Sequence, residues 1–306
     1  MKRAQKQTPH NFLATQPNKK NPLSKLAKIP PSIARILTAV VLLPILIASI
    51  VIPKLSLLFV ILVGIAIVLA LLEFWLLARK QQIRADPAAG LLAAAALIVL
   101  FYFTQPHKPL DFSSLLVVLI LLTICSLIAA MLQGAPFERM ITSSAVTGLG
   151  VLYIALLGGH LIAVRTGFSS QLSKHLLLFF FLVIMGGDSG AYYAGRTFGR
   201  QKLAPTISPG KTWEGAVAGM LTSLLLAAAA HYWFFPELGL RFALPLAAVM
   251  NIVGVLGDLT ESALKRSVGT KDTAQILPGH GGMLDRIDSL LFNAPLIYYF
   301  AYAYFR

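Results

Sequence analysis

Nine apolar runs, each close to twenty residues long, recur along this chain and leave its backbone few choices. A helix rises about 1.5 Å per residue, so roughly 20 apolar residues cross the ~30 Å hydrocarbon core of a bilayer. The runs fall at 33–52, 55–78, 88–104, 112–133, 143–164, 174–195, 212–235, 241–264 and 288–305. Between them stand Pro, Gly or charge, as at Pro53-Lys54, Arg79-Lys80, Gln105-Pro106, Gly199-Arg200, Pro236 and Gly279. An open sheet would strand backbone hydrogen-bonding groups in lipid, and the ten-residue alternation of a barrel strand is missing. The expected fold is therefore all-α, a polytopic integral membrane protein of about nine spans. Composition agrees, because only 12% of residues are charged, about half the share usual in soluble domains. The first span is the hardest to bound, since Pro44 interrupts it and the turn that follows is very short.

Charge orients the bundle. The net charge of +14 does not point to nucleic acid, because the basic residues punctuate apolar runs instead of forming a patch on a soluble core. They suit an anionic membrane surface. With the N-terminus in the cytoplasm, 20 of the 26 Lys and Arg residues fall on that side and 6 on the other, as the positive-inside bias requires. Residues 1–30 are polar and basic and read as a disordered arm touching anionic lipid, too polar before the first apolar run for a signal peptide. Residues 31–175 are expected to be scaffold and dimer contacts, and 176–306 the catalytic transmembrane domain. Cys125 is the only cysteine, which excludes an intrachain disulfide and a Cys metal cluster.

Eight of the twelve acids lie in the C-terminal half, several of them inside or at the ends of apolar runs. A carboxylate in a membrane helix is costly and usually faces a cavity with a partner. Asp258, Glu261, Ser262 and Lys265 are spaced to share one helix face. Arg266 and Lys271 add positive charge, and Asp272 follows. Pro278-Gly279-His280-Gly281-Gly282 offers exposed backbone N–H groups before a helix start, a natural seat for phosphate oxygens. Asp285 and Asp288 open the last run three residues apart, with Arg286 between them. Carboxylates on helix ends suit Mg²⁺, and neighbouring Lys and Arg balance a polyphosphate, which is what phosphoryl or nucleotidyl transfer needs. A phosphate nucleophile is already anionic, so His280 is expected to contact phosphate or shape the turn, without moving a proton.

A second group lies upstream. Gly186-Gly187-Asp188-Ser189-Gly190 sits inside the sixth run, with Asp188 expected in the membrane interior. Ser208 and Pro209 read as an N-cap and first-turn pair. Lys211 is a candidate phosphate contact, followed by Glu214. Gly210-Lys211-Thr212 resembles the end of a Walker A loop, but Pro205 replaces its first Gly and no strand precedes it, so a P-loop is rejected. Gly215 and Gly219, one helical turn apart, mark tight helix contact, with a dimer seam as one option.

Ser262-x-x-Lys265-Arg266, Lys271-Asp272, Pro278-Gly279-His280-Gly281-Gly282 and Asp285-Arg286-x-Asp288 together closely resemble the signature of the phosphatidate cytidylyltransferase (CDP-diacylglycerol synthase) family. Asp188 through Tyr192, the Ser208–Gly215 segment and Gly257-Asp258-Leu259 with Glu261-Ser262 are similar to further family blocks. The likeness is tight over about residues 180–290. It implies a nine-span homodimer in the cell membrane, with a cytoplasm-facing site that uses Mg²⁺ and a monovalent cation such as K⁺. By that likeness Asp258 and Asp285 are the metal ligands. Asp258, Asp285, Asp288, Lys265 and Arg286 form the catalytic set. Asp188, Ser208, Lys211, Glu214, Ser262, Arg266, Lys271, Asp272, His280, Gly281 and Gly282 contact the substrates, CTP and phosphatidic acid. Two other readings stay open: a CTP-dependent polyprenol or phytol kinase, and a membrane transporter with intramembrane acids.

Overall fold

The computed structural model describes residues 31–104, 110–132, 137–270 and 282–305, with side chains described from Val40 onward. Residues 1–30, Lys271, Asp272, His280 and Gly281 lie outside the described residues, and with them the arm and most of the Gly-rich turn.

A helical segment stands at each apolar run. They are α1 (Pro31–Val51), α2 (Ser56–Lys80), α3 (Pro87–Tyr102), α4 (Phe112–Leu132), α5 (Met140–Gly150), α6 (Leu157–Thr166), α7 (Ser170–Phe198), α8 (Trp213–Trp233), α9 (Leu240–Ser267) and α10 (Leu284–Tyr304). A π-helical stretch, Val151–Leu156, joins α5 to α6, so that these three pieces answer a single apolar run. Pro44, Pro245 and Pro295 lie within helices. Proline is tolerated there because neighbouring helices can satisfy the freed backbone groups. Among the described residues, six helical stretches are long and apolar enough to cross a membrane: Pro53–Lys80, Phe112–Leu132, Phe137–Thr166, Ser170–Phe198, Trp213–Trp233 and Leu240–Ser267. Val40–Val51 and Pro87–Tyr102 are shorter apolar helices. The chain is thus a helical membrane protein.

Hydrogen bonds gather alternate ends of the helices. Gln81 Nε2 donates to the Ser267 carbonyl (2.6 Å), Lys80 Nζ to Thr270 Oγ1 (3.0 Å), Arg139 Nη1 to the Gln82 carbonyl (3.0 Å), and Arg266 Nε to the Ile207 carbonyl (3.2 Å). The basic segments around 79–84, 139, 196–211 and 265–270 therefore share one end of the bundle. At the opposite end, Tyr298 Oη accepts from the Leu110 backbone N–H (3.4 Å) and Tyr304 Oη from that of Gly239 (3.4 Å).

The most extensive helix pair is α7 on α8. Gly187, Ala191 and Gly195 of α7 face Gly215, Gly219 and Ser223 of α8. A Cβ added at Gly219 would lie 2.9 Å from Ala191 Cβ and 3.0 Å from the Gly187 carbonyl oxygen. The small residues at 215 and 219 thus serve close contact within one chain, where backbones approach through missing side chains.

One segment departs from the all-α expectation. Lys202–Ala204 (β1) and Ser208–Thr212 (β2) form an antiparallel hairpin, with Lys202 opposite Thr212 and Ala204 opposite Ser208. Ser208 is therefore no N-cap. The cap of α8 is Thr212, whose Oγ1 accepts from the Gly215 backbone N–H at 3.1 Å. Ser208 and Pro209 do form a good local start signal. However, pairing with β1 holds them extended, and the later hydroxyl takes the capping role.

Candidate active site

The site forms at the basic end, where α9, α10, α7 and the hairpin meet. On α9, Asp258, Glu261, Ser262 and Lys265 share a face as their spacing predicts. Ser262 Oγ donates to Asp258 Oδ1 at 3.4 Å, and Lys265 Nζ lies 2.7 Å from Glu261 Oε2. The helix periodicity places these pairs four residues apart, so each closes over a single turn.

Two lysine–carboxylate contacts then join the elements. Lys211, carried on β2, reaches Asp258 Oδ2 at 2.8 Å. Lys265 donates to Asp285 Oδ1, in the first turn of α10, at 3.0 Å. The structure thus gives Asp258 and Asp285 a lysine each. Glu261, Lys265 and Asp285 are mostly buried, with Glu261 side-chain exposure only 1%. In such a place an ammonium between two carboxylates is held far more firmly than a surface pair would be, because solvent screens it little.

Asp288, one turn after Asp285, is buried. It feels the charges of Asp258, Asp188 and Lys211, and Asp188 feels those of Asp258 and Lys211. Asp188, Asp258 and Asp288 therefore form one electrostatic group with Lys211 among them. Asp188 is exposed on the surface of the chain. Its neighbour Gly187 fills the α7–α8 seam, and the ~100° turn per residue of a helix swings Asp188 off that seam.

The remaining expected residues support the hairpin. Glu214 accepts from the Gln201 backbone N–H through both oxygens (3.1 and 3.3 Å). Arg266 donates to the Ile207 and Thr270 carbonyls, each at 3.2 Å. These contacts tie the hairpin's base to α8 and its turn to the end of α9, and so hold Lys211 over Asp258. Ser208 is half-buried at the start of β2, Gly282 is buried just before α10, and Arg286 is exposed on its first turn.

Two residues of the N-terminal half enter the site without having been expected there. Glu73, fully buried on α2, accepts from the backbone N–H groups of Met283 (2.7 Å) and Leu284 (2.8 Å). A carboxylate 210 positions upstream thereby caps the start of α10 and fixes where Asp285 and Asp288 stand. Tyr153, on the π-helical stretch, is 8% exposed, and its hydroxyl has no hydrogen-bond partner among the described residues. It feels the charges of Asp288, Glu261 and Asp258, while Phe74 and Phe292 pack edge-on against its ring. An acid late in an apolar run was a signal for Glu73. Tyr153 had none, since an aromatic in an apolar run usually belongs to the core.

Comparison with known proteins bears on this geometry. The model of the cytidylyltransferase family matches residues 33–304. A phosphatidate cytidylyltransferase of Staphylococcus haemolyticus is 34% identical over 239 residues, covering 76% of this chain and 86% of that protein. One of Haemophilus influenzae is 46% identical over 134 residues, 42% of this chain and 46% of its own length. One of Staphylococcus saprophyticus is 46% identical over 123 residues, 40% and 47% respectively. The last two matches span about half of those relatives, whereas the first spans most of its length. Since the family match runs from the first described helix to the last, this chain belongs to the cytidylyltransferase family.

Proposed function

We propose that this protein is a phosphatidate cytidylyltransferase, a nucleotidyltransferase that makes CDP-diacylglycerol for phospholipid synthesis. A phosphate oxygen of phosphatidic acid attacks the α-phosphorus of CTP. The new P–O bond forms as the bond to the β-phosphate bridge breaks, and pyrophosphate leaves. The observation that carries this reading is the pair of lysine–carboxylate contacts, Lys211–Asp258 and Lys265–Asp285, which gather β2, α9 and α10 at one basic end. In the same proposal all nine helical segments cross the cell membrane with the N-terminus in the cytoplasm, the site faces the cytoplasm, and the protein is a homodimer.

The carboxylates suit Mg²⁺. Asp188, Asp258 and Asp288 present hard oxygen donors whose charges act on one another, with a single lysine among them. Among the described residues no three His, Cys, Asp or Glu side chains stand at metal-ligand spacing. Mg²⁺ needs fewer, because it takes one or two carboxylates and completes its shell with water and substrate phosphates. Asp258 and Asp285 would hold it, with Asp188 and Asp288 beside them, and K⁺ is the proposed monovalent companion. The metal supplies charge neutralisation on the triphosphate and the departing pyrophosphate. Lys211 and Lys265 orient those carboxylates and share their charge with substrate phosphates. Arg266 and Arg286 add positive charge for the lipid head group, and the Tyr153 hydroxyl, without a hydrogen-bond partner among the described residues, would donate to a phosphate oxygen.

The label of CTP tests the reaction. With purified protein, phosphatidic acid and Mg²⁺, α-labelled CTP is expected to pass its label to the lipid and γ-labelled CTP to pyrophosphate. Entry of the γ-label into lipid would replace this reading with that of a CTP-dependent lipid kinase. A second expectation concerns Tyr153→Phe. Removing one donor at a charged transition state costs about 100–1,000-fold in kcat, while the retained ring keeps its contacts with Phe74 and Phe292. An unchanged kcat would leave Tyr153 a packing residue.

A further inference from the structure

At the basic end lies a second feature, away from the carboxylates. Arg79, Gln82, Arg84 and Arg139 line a groove of about 570 Å³. Its lining holds three guanidinium groups and no acid. Among the described residues, neither Arg79 nor Arg84 makes a salt bridge or a side-chain hydrogen bond, and the nearby Glu138 pairs with none of the three arginines. Lys80 turns away to Thr270.

The groove is built, since its shape is held by specific bonds. Gln82 has φ +60°, a left-handed conformation uncommon for a non-glycine residue. Arg139 holds it there, donating through Nη1 to the Gln82 carbonyl and through Nη2 to Oε1, each at 3.0 Å. Arg79, Arg84 and Arg139 are exposed, so solvent screens their mutual repulsion, and together they offer an open, wholly cationic seat for an anion. Guanidinium groups match phosphate oxygens in paired hydrogen bonds.

The surroundings select the source of that phosphate. Leu76 stands one turn before Arg79 and is 42% exposed, while Phe137 and Ile141 flank Arg139 at 60% and 79%. Exposed apolar side chains beside cationic ones, at the end of membrane helices, mark the level where lipid head groups meet acyl chains. We infer that this groove binds the phosphate of an anionic phospholipid, with the acyl chains lying against Leu76, Phe137 and Ile141. The inference does not depend on the catalytic reading, because it concerns binding in the absence of CTP.

The test uses the full chain in phosphatidylcholine micelles, titrated with fluorescent phosphatidylglycerol, a lipid that lacks the terminal phosphate monoester of phosphatidic acid. Wild-type protein is expected to bind it saturably and at least about fivefold more tightly than the phosphatidylcholine probe. The double variant R79Q/R84Q is expected to lose roughly tenfold or more in affinity, and R79K/R84K, which keeps the charge but not the paired hydrogen bonds, to fall between it and wild type. Inorganic phosphate at millimolar concentration is expected not to displace the lipid. Equal binding by R79Q/R84Q, or lack of preference over phosphatidylcholine in the wild type, overturns the proposal. Ready displacement by inorganic phosphate overturns the lipid assignment in favour of a soluble anion. If R79Q/R84Q does not fold, the wild-type lipid preference and the phosphate competition decide alone.

Discussion

Asp285→Asn is expected to abolish CTP- and Mg²⁺-dependent CDP-diacylglycerol formation, by on the order of 10³-fold, while the protein stays folded in detergent. The substitution keeps the shape of the side chain and an oxygen that can accept from Lys265. It removes the charge. Lys265 would then lean on Glu261 alone, 2.7 Å away, and the metal proposed for this site would lose one of its two first ligands. Because Asp285 lies in the first turn of α10, losing its charge also weakens a favourable interaction with the helix dipole, though only by about 0.3–1 kcal/mol. Because Glu261 still gives the buried Lys265 ammonium a charged partner, the bundle is expected to stay folded, and activity and stability should separate. Turnover measured beside thermal melting checks this, and retention of more than about a tenth of wild-type turnover would remove Asp285 from the mechanism.

Glu73→Ala should strike both fold and activity. Its two oxygens satisfy the Met283 and Leu284 backbone N–H groups at a buried helix start, where water cannot substitute. Leaving buried donors unpaired costs about 1–3 kcal/mol each, more where the lost partner is charged. The total, on the order of 3–5 kcal/mol, is large for one residue. Glu73→Gln retains a single acceptor oxygen and should fall between. The discriminating readout is kcat in whatever fraction remains folded. If Glu73 positions Asp285 and Asp288, kcat drops in Gln as well as in Ala. If it only stabilises, folded Glu73→Gln turns over as wild type does, and the positioning role is lost.

The helical plan was legible from the chain because lipid imposes a single rule on every span. Each apolar run meets a helix within a few residues of its expected limits, even across Pro44. The α9 cluster was legible for the same local reason, since residues three and four apart must share a face. Ser208 shows where local reasoning failed. Its signal as a helix start was sound, but a two-stranded pairing with 202–204 overruled it. The π-helical stretch that carries Tyr153 had no signature either, because Val151–Leu156 is apolar throughout and has no polar periodicity for an extra residue to shift.

Apolar length, the spacing of acids and bases and the distribution of Lys and Arg determined by themselves that this is a helical membrane protein with most of its acids in its C-terminal half. These are properties of single segments in contact with lipid or with their own next turn. Tertiary structure alone decided that Lys211 meets Asp258, that Lys265 meets Asp285, and that Glu73 caps a helix 210 residues away. Those pairings depend on which helices lie side by side. That arrangement shows in close approaches such as Gly257 of α9 against α10, where an added Cβ would lie 2.7 Å from the Asp288 carbonyl oxygen, and no run of hydropathy records it.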